Sequence, residues 1–370
     1  MEEKLIFLLP QKKKPGYLLQ ERKFASFTAN PPLSLAKYSF GNKSQTETEK
    51  LEKNLFIDRF REVAELCFVF AQNLDEPNNR YTLPITAQMF GQGKSMLGRH
   101  VQQYGRNIFD DEFTRNEEKK RSRGIMTAKI GSEKDLKAFF DAQYVLLDFS
   151  DFVRTYNSSE QFFLEFRAFL FRRIAEETRL MKDPDVLNII NGPLQNMDIE
   201  TPQKIFEFFA KKINRRIFLH IDEVQSLNSM LEIDGTPLTK FYAFWKEIHN
   251  GLSNDFIYVS GRSIWLYNVG KQYLPSTPSP GRIFLVKMST FSKENIAELF
   301  DLVLGQRGVS EAFDFEKRNQ IIQVLHRLTA GVPRLVQVAM MVVLRTNNIK
   351  EINSNPCLDI FRSIFDQINL

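Results

Sequence analysis

Gly93-Lys94-Ser95 and Asp222-Glu223 are the strings in this 370-residue chain whose residue types and order suit chemistry on an anion. The first ends the stretch Gln88-Met89-Phe90-Gly91-Gln92-Gly93-Lys94-Ser95, between a strand-like run, Tyr81–Met89, and a helix-like run from Met96. Glycines let a backbone curl until successive N–H groups face one centre. A helix that starts there adds N–H donors and a partial positive charge. On such a loop Lys94 reaches β- and γ-phosphate oxygens and the Ser95 hydroxyl ligates Mg2+. Phe90, Gly91, Gln92, Gly93 and Met96 are then the flanking cofactor-binding positions. The pattern G-x-x-x-x-G-K-[ST] expects glycine where this chain has Gln88, and Gly91 is the available source of the lost flexibility. Taken alone, Gly-Lys-Ser is equally an ordinary helix start after a glycine turn.

The two acids end an apolar run, Ile217–Ile221. At the carboxyl end of a parallel strand, Asp222 would hold Mg2+ through water and Glu223 would polarise an attacking water as general base. Adjacent acids also serve as turn residues; it is loop and acids together, in this order, that favour a nucleotide site. A third run, Phe256–Val259, leads into Ser260-Gly261-Arg262-Ser263. Beside the acidic strand, Ser260 can bond a γ-phosphate or the attacking water, and Arg262 can stabilise transition-state charge in its own chain or a neighbour's. An exposed arginine on a glycine turn is the plainer alternative. In Thr329-Ala330-Gly331-Val332-Pro333-Arg334, Gly331 suits a helix C-cap and Pro333 a first helical position. Arg334 is then placed to reach back to phosphate.

These residues need a scaffold, and the hydrophobic pattern predicts one. Helices are expected from Phe56 to Gln72, from Ser159 to Met181, from Pro202 with Thr201 as N-cap, and from Pro237 to Gly251. Between them lie strand-like runs at 144–149, 217–221, 256–260 and 283–288, the continuous apolar ones suited to burial on both faces. Strands alternating with helices imply parallel βαβ units, hence a three-layer α/β core. After Ser292 only helical pattern follows: Lys293–Leu304, Phe315–Leu328, Pro333–Arg345 and Cys357–Ile368. The expected organisation is an irregular basic arm over 1–50, an α/β core over 51–290 and a helical lid over 291–370. The charged stretch 110–124 is expected to be a solvated loop.

Composition removes several classes. Hydrophobic residues at 43% and charged residues at 26% are those of a globular chain, and 34 phenylalanines forecast an aromatic core. The arm holds nine lysines and arginines against five glutamates, most of the net +5, so no dense basic face is left for the rest. The two cysteines, Cys67 and Cys357, cannot build a disulfide scaffold or a zinc module. His100, His220, His249 and His326 are scattered without ligand spacing, and His220 is expected to be a satisfied core residue. No apolar run is long enough to span a membrane, and Leu5–Leu9 lacks the flanks of a secretory signal. An intracellular protein, in nucleus or cytoplasm, is expected.

The phosphate loop, the strand ending in Asp222-Glu223, the polar strand tip at Ser260 and the Gly331-Val332-Pro333-Arg334 lid string together resemble the AAA+/STAND group of P-loop ATPases. Phe90–Ser95, Val259–Ser263 and Ser279-Pro280 more narrowly resemble the ATPase domain of Crinkler and retrotransposon-hot-spot proteins. The resemblance spans roughly residues 55–345 and implies a P-loop NTPase core with a C-terminal lid. It also implies ATP and Mg2+ as cofactors and hydrolysis coupled to conformational change. Lys94, Ser95, Asp222 and Glu223 would hold the family roles. Leu33-Ser34-Leu35-Ala36-Lys37 faintly resembles the Crinkler translocation motif. Expected partners are ATP, then DNA or RNA, a protein or a second copy, and no membrane. The alternative is a nucleotide-gated or inactive binding module, with Gln88 slowing or abolishing turnover.

Overall fold

The computed structural model describes residues 59–75, 81–87, 93–109, 133–152, 156, 158–192, 201–230, 236–249, 255–262, 266, 282–306, 314–333, 335, 336, 339 and 340. Outside them lie the arm over 1–50, Gln88 to Gln92, the 110–124 stretch, Ser263, Ser279-Pro280, Arg334 and the expected last helix from Cys357.

Five strands form one sheet in the order β2-β3-β4-β1-β5: β1 (Thr82–Thr86), β2 (Gln143–Asp148), β3 (Ile217–Asp222), β4 (Phe256–Ser260) and β5 (Arg282–Leu285). Every pairing is parallel, as the strand–helix alternation predicts. β3 and β4 are buried along their whole length, while edge strand β2 alternates. The β1–β4 register holds only at Ile85 and Thr86, beyond Pro84. A proline cannot donate to a ladder; before the register begins, a side chain meets β4, the Tyr81 hydroxyl accepting the Ile257 N–H at 2.8 Å.

Helices cover both faces. On one lie α1 (Phe60–Asp75), α2 (Lys94–Phe109) and α3 (Glu133–Phe140), burying Val63, Phe70, Leu97, Val101 and Phe139 against Phe218, Phe256 and Tyr258. On the other lie α4 (Ser159–Glu177), α5 (Pro184–Asn191), α6 (Pro202–Ile213), the single turn α7 (Leu227–Met230) and α8 (Pro237–His249). Their Phe162, Phe166, Phe206, Phe244 and Trp245 meet Leu83, Val145, Leu219, Ile221 and Val259. Period-two alternation divides the strands between the two cores. Phe70 and Phe139 pack at 4.5 Å between centroids, and Phe166 and Phe244 at 5.1 Å edge to face, the geometry aromatic quadrupoles favour. The core is a three-layer α/β sandwich.

Local chemistry sets the helix starts. Ser158 accepts the Gln161 N–H ahead of α4, and Thr201 accepts the Lys204 N–H ahead of Pro202 in α6. α4 ends at Glu177 rather than at Met181, because Arg179 adopts φ 61° and breaks the ladder. β1 and β5 are shorter than the runs Tyr81–Met89 and 283–288, and α1 is shifted by four residues at its start from the expected Phe56. After the sheet come α9 (Lys293–Gln306) and α10 (Phe315–Thr329). The helix α10 closes at Ala330, at φ 48°, one residue before the expected Gly331. Phe291 N–H donates to the Gly331 carbonyl at 2.7 Å, fastening the turn after α10 to the segment before α9.

Candidate functional site

The carboxyl ends of β3 and β4 and the start of α2 converge, and parallel α/β sheets place ligands at such strand ends. Gly93, at φ 82°, lies in the left-handed region and its carbonyl accepts the first intrahelical bond, from Leu97 N–H at 2.9 Å. The amides of Lys94, Ser95 and Met96 precede that bond and so face out of the helix end. Lys94 is 8% exposed; burial lowers its ammonium pKa, opposed by the charges of Asp222 and Glu223. The partly buried Met96 side chain packs against the α1–α3 core.

Ser95 and Asp222, 127 residues apart, are in direct contact: the Ser95 hydroxyl donates to Asp222 Oδ2. Asp222 Oδ1 accepts from Ser260 Oγ at 2.5 Å and from the Glu223 N–H at 2.9 Å. Burial pushes this carboxyl up, but the neighbouring imidazole of His220 and the hydrogen bonds from Ser260, Ser95 and Glu223 N–H outweigh it and keep it below its ordinary value. It is a carboxylate accepting three hydrogen bonds.

Glu223 stands at φ 53°, a left-handed conformation a side-chain-bearing residue rarely adopts. Its carboxylate pairs with Arg262 Nε at 3.0 Å and accepts from Gln225 Nε2, while Gln225 Oε1 accepts the Arg262 N–H at 2.9 Å. Arg262 and Glu223 thus hold each other across the mouth of the strand ends. Ser260 is fully buried and spends its proton on Asp222 rather than facing outward.

Of the residues expected from sequence, Gly93, Lys94, Ser95, Asp222, Glu223, Ser260 and Arg262 are brought together here. Phe90, Gly91, Gln92 and Arg334 lie outside the described residues. Two further participants, Gln225 and Tyr144, were not foreseen, and His220 was expected only as a core residue. His220 is buried and satisfied, as expected of a core histidine, yet its partners are the site's own residues: Ser260 Oγ at 2.8 Å and the Tyr144 hydroxyl at 2.9 Å. The signal was present, since positions 220 and 222 of one strand share a face.

The donor set fits a hydrated divalent cation with a phosphate: a hydroxyl and a carboxylate in contact, beside a lysine and a helix N-terminus. Among the described residues no group of three or more His, Cys, Asp or Glu forms a metal cage. Mg2+ characteristically takes one or two protein oxygens and completes its shell with phosphate and water, which is what Ser95 and Asp222 offer. No described helix is long and apolar enough to cross a membrane.

No protein-family model matches the chain, so the narrower Crinkler-type resemblance rests on its short strings alone. No curated protein matches either. Among solved structures, the chain is similar to the Aeropyrum pernix ORC2 protein with ADPNP and ADP (10% identity, TM-score 0.41, covering 77% of this chain and 61% of that one). It thus spans less than two thirds of that protein's length. The ADP form of the same protein matches at 12% identity and TM-score 0.42, covering 81% of this chain and 67% of that one. Domain III of the Thermotoga maritima replication initiation protein DnaA matches at 13% identity and TM-score 0.35, covering 86% of this chain and 97% of that one.

Proposed function

We propose that the chain is a P-loop ATPase of the AAA+/STAND kind that binds ATP with Mg2+ and couples hydrolysis to movement of its C-terminal helices. The observation that carries this reading is the meeting of Ser95 and Asp222 at the N-terminus of α2, beside the desolvated Lys94. Two sequence-distant oxygens and one cation converge where a helix presents its amides, which suits a metal-bound polyphosphate.

In this reading the α2 amides and Lys94 orient the β- and γ-phosphates. Ser95 and Asp222 would hold Mg2+, which neutralises charge developing on the phosphate oxygens. Glu223 takes a proton from the attacking water at its carboxylate. For that it must leave Arg262 and Gln225, and the released guanidinium is then available to the transferring phosphoryl group. The same engagement favours a second reading, in which Glu223 stays clamped and ATP acts as a slowly exchanging structural ligand.

Mg2+-dependent ATP hydrolysis by the purified chain separates the two, with Lys94→Ala and Glu223→Gln alongside. The first reading expects turnover that disappears in both variants, with ATP binding retained by Glu223→Gln. Binding without turnover in the wild type selects the second. No nucleotide binding at all would overturn both. A second arm with DNA or RNA added tests the nucleic-acid partner, through stimulated turnover and its salt dependence.

A further inference from the structure

Behind Asp222 the side chains close into a ring. Ser260 joins Asp222 at 2.5 Å, His220 Nε2 joins Ser260 at 2.8 Å, and the Tyr144 hydroxyl joins His220 Nδ1 at 2.9 Å. The Arg99 charge acts on the Tyr144 hydroxyl from α2. Arg99 lies four residues after Ser95 on α2, and Ser95 donates to the other oxygen of Asp222. The ring therefore crosses β2, β3 and β4 and returns to the first turns of α2.

Its polarity follows from valence. A carboxylate only accepts, so Ser260 spends its one proton on Asp222 and must accept from His220. The imidazole then carries its hydrogen on Nε2, Nδ1 is bare, and Tyr144 donates into it. Reversing the imidazole would leave its bare Nε2 facing a lone pair of Ser260, whose proton is on Asp222. The parts are fixed in place: His220 and Ser260 are fully buried, and Gly98 leaves room for the ring, since a Cβ there would stand 2.2 Å from His220 Nδ1.

We propose that Tyr144 and His220 are positioning residues for Mg2+–nucleoside triphosphate binding. By fixing the imidazole tautomer they keep the Ser260 proton on Asp222 and hold that carboxylate in the orientation it needs beside Ser95. This rests on the ATPase reading above. Outer partners of a metal-binding carboxylate typically contribute about 10–100-fold in affinity.

The experiment uses the full chain. Titration with a fluorescent ATP analogue, with Mg2+ and again in EDTA, is compared for wild type, Tyr144→Phe, His220→Leu and His220→Gln. Tyr144→Phe is nearly isosteric and guards against loss of the fold, which thermal melts check for every variant. Tyr144→Phe and His220→Leu are expected to weaken Mg2+-dependent binding by about 10-fold or more, with metal-free binding changed less than about 3-fold. The glutamine, whose amide can donate to Ser260, should restore most of the loss. In parallel, 15N NMR of the four histidines should show His220 as the Nε2–H tautomer in wild type. Wild-type affinity in Tyr144→Phe and His220→Leu, or an Nδ1–H tautomer in wild type, overturns the proposal. If wild type shows the Nε2–H tautomer but binds no nucleotide, the ring stands and its assignment to Mg2+–nucleotide binding falls with the ATPase reading. An Nδ1–H tautomer with normal Mg2+–ATP binding places the failure in the ring alone.

Discussion

Replacing Gly98 by alanine probes the tightest contact beneath the site. Gly98 sits in α2, where alanine ordinarily stabilises a helix by about 1 kcal/mol over glycine. Here the added Cβ would stand 2.2 Å from His220 Nδ1 and 2.5 Å from its Cε1. That is more than an ångström inside the roughly 3.5 Å of ordinary contact. The imidazole has no retreat, being fully buried and tied to Tyr144 on one side and Ser260 on the other. Overpacking of this kind costs about 1–3 kcal/mol, and losing the Tyr144 hydrogen bond adds about 1 kcal/mol. After the helix-propensity gain, Gly98→Ala should destabilise the protein by about 2 kcal/mol, seen as a lower urea midpoint at unchanged slope. A cycle with His220→Ala isolates the cause. With the imidazole removed the alanine should be neutral or stabilising, a coupling of about 2–3 kcal/mol. If Gly98→Ala alone raised the midpoint, α2 would not lie against His220 as described, and the ring through His220 would lose its support.

Four further outcomes follow from the same geometry. Arg59 and Glu62 form a buried pair at 3.0 Å, with Arg59 also donating to the Ser289 carbonyl at 2.6 Å; Arg59→Met should cost about 3–5 kcal/mol by chemical denaturation, and Arg59→Met/Glu62→Leu much less. Burial pushes the Asp255 carboxyl up to about 6, against an ordinary value near 3.8. Its native form keeps the proton longer than the unfolded chain, so stability falls as pH rises from about 4 to 6. Asp255→Asn, which still accepts the Ile217 N–H, should remove that slope and be more stable at pH 7, by at most about 3 kcal/mol; equal pH profiles for the two proteins would refute the assignment. The left-handed backbone of Glu223 costs about 1 kcal/mol. Glu223→Asn should therefore be no less stable than wild type in thermal melts while losing the hydrolysis proposed above, and a drop of several degrees in midpoint would contradict the strain. Gln225→Ala removes one of the two groups holding Glu223 and, in the proposed ATPase reading, should raise kcat for ATP with little change in KM; a fall in kcat would instead make Gln225 part of the catalytic arrangement.

Much of the scaffold was legible because it is local. Thr201 and Pro202 announce the start of α6 by their own hydrogen bonding and φ preference, and the unbroken apolar run 217–221 marks a strand buried on both faces. The two eight-residue helices, Glu133–Phe140 and Pro184–Asn191, were not foreseen. So short a helix has too few turns to establish a period, and it is held by the core it covers rather than by its own propensity. Pro84 argues against an interior strand, yet β1 lies between β4 and β5, since its ladder to β4 begins only after the proline.

The site divides the same way. The residue types of Lys94, Ser95, Asp222 and Glu223, and their places at a helix start and a strand end, belong to the sequence. So does the alternation that puts His220 and Asp222 on one face of β3. That Ser260 lies beside Asp222, that Tyr144 reaches His220 from 76 residues away, and that Arg262 clamps Glu223 are products of strand order and register. Those depend on which strands pair across long stretches of chain, where the energy comes from burying two faces at once and no local window of residues records the partner.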